Sequence, residues 1–432
     1  MKIKTIFFLL LLFPGIFSIQ GQKFYKEKIK TKIPFQFENN TIIIPVFING
    51  HVVHLILDTG AKHTAIINPE VFNQIQPVDT TPVKIKGLGQ KKEIDGLLSK
   101  NETLRLGAFE LHQRNIIWIK DTLIDFSDYY YTPIDGLIGS DVLAQYILEI
   151  NFQTKKIILH SPHTYRSRRD KNKIPIRLID KKPAIRFSIA NKKGIFLIDT
   201  GNTDAVWLYG KLPESHPYKL IYGYLGLGVS GEIYGYSTIV EHIFLARKKF
   251  KKIPIAMPDS VSLTHIDRNI LDGLLGNTLL KKFKIIINYP EKYVVLKKYF
   301  TSGKYIPYDK SGLVVKLTKP VMMEVEHIVF QFEKSERNSS LPVIRRKKVK
   351  KNENVRLIQV KEVIPGSPAD KAGILSGDLI EEINGKPVYE MKTLSEFTGF
   401  LSKHEGYRIH LKIKRNNIDM EINFRLADYY KK

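Results

Sequence analysis

The sequence predicts a mainly β protein, with two duplicated β lobes followed by a smaller α+β domain. Three observations predict it. Leu55-Ile56-Leu57-Asp58-Thr59-Gly60 and Phe196-Leu197-Ile198-Asp199-Thr200-Gly201 repeat one order, in which three apolar residues feed an acid, a hydroxyl and a glycine. Such a run reads as a buried strand that ends at a turn and leaves a carboxylate at its tip. The copies then keep register. Asp135-Gly136-Leu137-Ile138-Gly139-Ser140 follows the first and Asp272-Gly273-Leu274-Leu275-Gly276-Asn277 the second, each continuing into a short apolar helix and a hairpin. Asp135 and Asp272 lie 137 residues apart, as do Asn151 and Asn288, whereas Asp58 and Asp199 lie 141 apart. The first copy therefore carries four extra residues in its middle. Finally, past about residue 305 the pattern changes to closely spaced Pro-Gly, Gly-Asp and Asn-Gly turns.

The elements follow in order. Met1-Lys2-Ile3-Lys4 supplies positive charge, and Ile6 to Phe17 is an apolar run interrupted by Pro14 and Gly15. Residues 1–21 read as a signal peptide, too short for a comfortable membrane span, with cleavage expected after Gly21. An uncleaved anchor is the alternative. The expected location is outside the cytoplasm, periplasmic or secreted. At 432 residues the chain has room for about three domains. Its formal charge of +25 favours anionic partners such as an envelope surface, and export argues against nucleic acid. The absence of cysteine excludes thiol catalysis, disulfides and thiolate metal sites.

The first lobe is expected over 33–160. Asn49-Gly50 between two apolar runs signals a two-residue hairpin that leads into Asp58. His51 and His54 lie three apart on a predicted strand and face opposite sides, so no metal site is expected there. Ser140 and Asn277 are expected as helix N-caps. A polar, basic stretch at 161–173 reads as an exposed linker. The second lobe is expected over 174–300. Its Tyr222, Tyr224, Tyr234 and Tyr236 are expected to pack across strands rather than to line pockets.

Apolar-apolar-Asp-Thr-Gly, followed much later by apolar-apolar-Gly and a short helix, resembles the lobe of retropepsin-like aspartic proteases. Two lobes are joined here, as in pepsin-like enzymes. Ala61 matches the family, whereas Asn202 departs from the small or hydroxyl residue usual there. The resemblance implies closed β-barrel-type lobes and a catalytic pair, Asp58 and Asp199. Thr59, Gly60, Thr200 and Gly201 would support the pair. The family's flaps would fall near Gly87 and Gly89 in the first lobe and near Gly226 and Gly228 in the second. The implied substrate is a polypeptide, and no cofactor or metal is implied.

The remaining domain, 305–430, contains Pro365-Gly366-Ser367-Pro368-Ala369-Asp370-Lys371-Ala372-Gly373 followed by Gly377-Asp378-Leu379-Ile380. This run resembles a bacterial PDZ domain. The resemblance implies a groove for C-terminal or extended peptides, with a helix at 393–402. Gly312, Leu313 and Val314 are the candidates for its carboxylate-binding loop. A basic insertion at 319–354 is expected to be a solvated loop, with an anionic docking patch as the alternative.

Two carboxylates within hydrogen-bond reach share one proton, so one can activate a water while the other polarises a carbonyl. The expected activity is aspartic-type endopeptidase, with the PDZ-like part as a separable docking module. Three alternatives stay open: a binding protein that keeps the fold without turnover, a scaffold that acts through its PDZ domain, and a glycosidase acid–base pair.

Overall fold

A computed structural model describes residues 30–91, 93–119, 125–190, 192–300, 303–333 and 343–432. The expected leader, 1–21, lies outside the described residues. Among the described residues no helix is long and apolar enough to cross a membrane.

The first lobe is one eight-stranded sheet. Its order is Gln36–Glu38, Thr41–Ile48, His51–Leu57, Gly136–Ile138, Ala65–Ile66, Phe109–Ile119, Ile94–Leu106 and Thr80–Ile85. A further pairing of Thr41–Ile48 with Ile94–Leu106 curls the sheet towards closure. The second lobe repeats the order with Arg177–Ile179, Lys182–Ile189, Lys192–Ile198, Gly273–Leu275, Val206–Leu208, Lys248–Pro258, Gly231–Leu245 and Ile221–Gly228. The duplication read from spacing is thus a duplication of topology. The first hairpin forms as expected: Ile48 pairs with His51, while Asn49 and Gly50 take positive φ values of 48° and 87°. Two consecutive left-handed residues are what a twist-matched two-residue turn requires, and Asn-Gly tolerates them best.

A third sheet joins the lobes. Its order is Lys30–Pro34, Lys156–His160, Ile147–Asn151, Phe283–Asn288, Tyr293–Lys298 and Ile174–Pro175. At its centre Glu149 pairs with Ile286, and these are equivalent positions of the two copies. The approximate twofold axis therefore passes through that pair. The first lobe begins slightly before residue 33, because Lys30–Pro34 pairs with Lys156–His160. One apolar core runs across this sheet, from Ile33 and Leu148 in one lobe to Ile285 and Leu296 in the other. The two lobes share this core, and each buries a smaller cluster of its own, around Trp207 and Leu274 in the second and around Ile56 and Leu137 in the first.

The stretch 161–173 is mostly exposed, as expected of a linker, and carries local order of its own. It forms two short turns, Pro162–Thr164 and Ser167–Arg169, and Asp170 accepts hydrogen bonds from Tyr165 and Tyr293.

The PDZ-like domain has its own core around Leu317, Ile358, Ile380, Phe397 and Ile413. Its strands run in the order Leu313–Leu317, Ile358–Val363, Leu379–Ile383, Arg408–Arg415 and Ile418–Arg425, with helices Pro368–Lys371 and Leu394–Leu401. The latter helix falls where the sequence puts it, within 393–402. The insertion 319–354 is not a loop. Val321–Glu333 pairs with Val343–Val355 in a long two-stranded arm, and residues 334–342 between them lie outside the described residues. The reason is chemical complementarity. The basic run faces a strand carrying Glu324 and Glu326, and Lys350 and Lys348 bridge to them at 2.6 and 2.7 Å. Cross-strand opposite charges relieve the repulsion that would otherwise keep such a run extended in solvent.

Candidate active site

Both Asp-Thr-Gly turns project from strands that run into the lobe interface, His51–Leu57 and Lys192–Ile198. Each strand pairs in parallel with the Gly136–Ile138 or Gly273–Leu275 strand, which fixes the turn behind it. Asp135 and Asp272, the acids that open those motifs, accept the backbone N–H groups of His54 and Ile195 at 2.8 Å each. They act as structural braces. His54 is partly exposed beside Asp135, and His51 is exposed.

The two turns meet. Thr59 N–H donates to Thr200 Oγ1 at 3.1 Å, and Thr200 N–H donates to Thr59 Oγ1 at 3.1 Å. Each hydroxyl in turn donates across the interface, Thr59 to the carbonyl of Ile198 and Thr200 to that of Leu57, both at 2.6 Å. Both threonines are fully buried. This reciprocal lock holds Asp58 and Asp199 side by side, their carboxylates within hydrogen-bonding reach of one another.

Each carboxylate is oriented by its own loop. Asp58 Oδ1 accepts N–H groups from Gly60 and Ala61 at 2.8 Å, and Asp199 Oδ1 accepts that of Gly201 at 2.9 Å. In the place of Ala61, Asn202 acts through its backbone amide to lower the Asp199 pKa. Its side chain turns away and accepts the N–H of Asp204 at 2.8 Å, so the departure from the family pattern leaves the carboxylate cradle intact. Burial pushes the Asp58 carboxyl above its ordinary range, against the pull of its two amides. Burial, with the neighbouring Asp58 charge added, pushes Asp199 well above it. Like charges this close disfavour double ionisation, so one proton belongs to the pair.

Close approach also explains the glycines. A Cβ at Gly60 would lie 2.4 Å from Asp199 Cγ, and one at Gly201 would lie 2.4 Å from Asp58 Cγ. Each loop's glycine leaves the space that the opposite carboxylate fills. Gly201→Ala should fold yet hydrolyse peptides about 10²-fold more slowly, because the methyl displaces Asp58 by a substantial fraction of an ångström. Wild-type turnover in that variant would contradict the packing argument.

Ser140 and Asn277 are not N-caps. Gly139 and Gly276 occupy those positions, and the two side chains start the short helices. Both are buried, and they donate to the carbonyls of Thr59 and Thr200 at 3.1 and 2.6 Å. Capping chemistry was the visible signal, but the catalytic-loop carbonyls behind the helices compete for the same side chains.

The expected flaps are hairpins. Gly87 and Gly89 sit in the loop between Thr80–Ile85 and Ile94–Leu106, while Gly226 and Gly228 lie on Ile221–Gly228, opposite Gly231–Leu245. Their tips are tied together. Gly87 N–H donates to Ser230 Oγ at 3.1 Å, Ser230 N–H to the carbonyl of Leu88 at 2.9 Å, and Lys91 N–H to that of Ser230 at 3.0 Å. Gly89 has φ +135°, which residues with a side chain rarely adopt, and a Cβ there would lie 2.4 Å from the Ser230 backbone, so glycine is required both for the bend and for the contact. The tyrosines form a cross-strand ladder, Tyr222 on Tyr236 and Tyr224 on Tyr234, with ring centroids 5.2 and 5.8 Å apart.

The PDZ carboxylate-loop candidates are placed at the start of the edge strand Leu313–Leu317, but their amides are engaged within the chain. Asp309 accepts the N–H groups of Ser311 at 3.1 Å and Gly312 at 2.7 Å, and Ser311 Oγ accepts that of Leu313 at 3.1 Å. An Asp two residues before Ser-Gly is the signal for such a turn. Val314 continues the strand and pairs with Glu362.

A family model described as an aspartyl protease matches residues 44–142, which hold Asp58 and the Asp135 motif. A model described as a PDZ domain matches residues 359–415. The chain carries an aspartyl protease domain and a C-terminal PDZ domain. The second lobe lies outside the first match and repeats its strand order. Serine protease HTRA1 of Xenopus tropicalis is 39% identical over 71 residues, 16% of this chain. The chain covers 15% of that relative's length.

Proposed function

We propose that the chain is an aspartic endopeptidase whose Asp58–Asp199 pair activates water against a peptide carbonyl. The observation that carries this reading is the reciprocal threonine lock, which sets two carboxylates against each other at the lobe interface with three loop amides behind them. The ionised member takes a proton from a water bridging the pair, and the resulting hydroxide attacks the scissile carbon. The protonated member donates to the carbonyl oxygen. Collapse of the tetrahedral intermediate transfers a proton to the leaving amine and returns the pair to its single-proton state. No covalent intermediate forms.

The substrate is a polypeptide segment lying between the catalytic turns and the flap tips. The protein is exported, and its basic arm faces anionic envelope surfaces. The name of the HTRA1 relative points to serine-protease chemistry, but a match over 15% of that protein does not carry its activity here. A binding protein without turnover is the second reading, favoured by the mutually bonded flap tips. Digests of a peptide mixture at pH 3 to 8, with and without pepstatin, separate the two. Pepstatin-sensitive cleavage supports the endopeptidase, and the absence of cleavage across the range leaves the binding protein.

A further inference from the structure

We propose that the PDZ domain is a fixed mount for the second-lobe flap, with Glu362 and Lys361 as its positioning residues. The proposal rests on the endopeptidase reading and assigns the regulation of that site.

The mount begins at a bulge. Val314 pairs with Glu362 and Val315 with Val360, which leaves Lys361 as an extra residue in the strand Ile358–Val363. In a regular strand, consecutive side chains point to opposite faces, whereas a bulge re-aims them. Here both reach one target. Glu362 Oε2 accepts the backbone N–H of Tyr224 at 3.1 Å, and Lys361 Nζ lies 3.7 Å above the Tyr224 ring. Lys361 also pairs with Glu232 on the facing flap strand. Gly223 allows the approach, since a Cβ there would lie 2.8 Å from Glu362 Oε1.

The same flap is held at two more points. Tyr224 Oη bonds Tyr129 Oη of the first lobe at 2.6 Å. Tyr129 and Tyr131 pack against the PDZ core, and Arg356 donates to the carbonyl of Tyr130 at 2.8 Å. At the flap root, Lys219 N–H donates to the carbonyl of Tyr430 at 2.7 Å, and Ser237 Oγ bonds Tyr430 Oη at 3.1 Å. The PDZ domain thus grips the second flap along its length. Its carboxylate loop meanwhile satisfies its own amides through Asp309, as a fixed part would and an open receptor would not.

The first flap is placed differently. Thr80–Ile85 is the outer edge of its sheet and is exposed or half-exposed along its length. Its loop reaches the second lobe through the tip bonds to Ser230, one from Gly89 N–H to the carbonyl of Ser262, and Leu88 packed against that lobe's apolar cluster.

The test is hydrogen–deuterium exchange on the full chain, read by peptide, for the wild type, Glu362→Ala and Glu362→Gln. In the wild type, residues 80–97 should exchange faster than 221–236. Glu362→Ala should speed exchange over 221–236 about tenfold and leave 80–97 unchanged, because one charge-assisted anchor on a local opening unit is lost. Glu362→Gln keeps an acceptor for the Tyr224 N–H and should restore most of the protection. In peptide hydrolysis, Glu362→Ala should raise KM several-fold with little change in kcat, since the mount positions the flap without touching the reacting atoms. Unchanged exchange over 221–236 in Glu362→Ala, or an equal rise in both flaps, overturns the mount. Should no variant hydrolyse any peptide, the endopeptidase reading falls while exchange still decides the mount.

Discussion

Asp199→Asn is expected to abolish peptide hydrolysis and, at neutral pH, to raise the melting temperature. The catalytic loss should be about 10²–10⁴-fold or more, because an amide can neither carry nor exchange the shared proton. Asp58→Asn should behave likewise. The fold survives, since the amide oxygen still accepts the loop N–H groups that Asp199 Oδ1 and Asp58 Oδ1 accept now. The stability gain follows from linkage. Burial and the adjacent Asp58 hold the Asp199 pKa well above the 3.8 of an unperturbed aspartate, so the folded chain binds that proton more tightly than the unfolded chain. Stability is therefore lost as pH rises from about 4 through the raised value. The Asn variant escapes that loss, so its advantage should be largest near pH 7 and vanish towards pH 4. Melting curves at both pH values check this. An Asn variant that melts below wild type at pH 7 contradicts the electrostatic account, and one with wild-type turnover moves the chemistry elsewhere.

The other large effect is expected at the threonine lock. Replacing Thr59 and Thr200 together by Val keeps the shape but removes both hydroxyls. The N–H groups of Thr59 and Thr200 lose their acceptors, and the carbonyls of Ile198 and Leu57 lose their donors. Each orphaned buried group costs about 1–3 kcal/mol, and partial relaxation brings the expected total to about 3–6 kcal/mol. The melting temperature should fall by roughly 5–15 °C. Thr→Ser at both sites keeps the hydroxyls and should melt close to wild type. Activity of the Val double variant should fall further than its folded fraction, because the lock also sets the spacing of the carboxylates. If the Val double variant melts like wild type, the lock carries no stability.

Much of this architecture is written locally. An apolar triplet before Asp-Thr-Gly sets a strand and its turn, and the repeat of Asp135-Gly136 as Asp272-Gly273 sets the parallel partner of each. Asn49-Gly50 and Ser367-Pro368 specify a hairpin and a capped helix through their own backbone preferences. The PDZ run is similarly dense in turn residues. Ser140 and Asn277 mark where local reading fails, because the same side chains that cap helices elsewhere here reach carbonyls of turns 81 and 77 residues away.

The sequence by itself determined that there are two equivalent lobes, that each ends a buried strand in one aspartate, and that a PDZ domain follows. Those facts rest on periodicity and turn chemistry, which act over a few residues. The bonds between Thr59 and Thr200 across 141 residues were implied by the family resemblance, whereas only the tertiary structure decided that Ser230 ties the flap tips. It also decided that the basic insertion pairs into an arm, and that Glu362 reaches a flap 138 residues earlier in the chain. Contacts at such separations depend on how finished lobes pack, and no local propensity encodes which hydroxyl will meet which amide once they do.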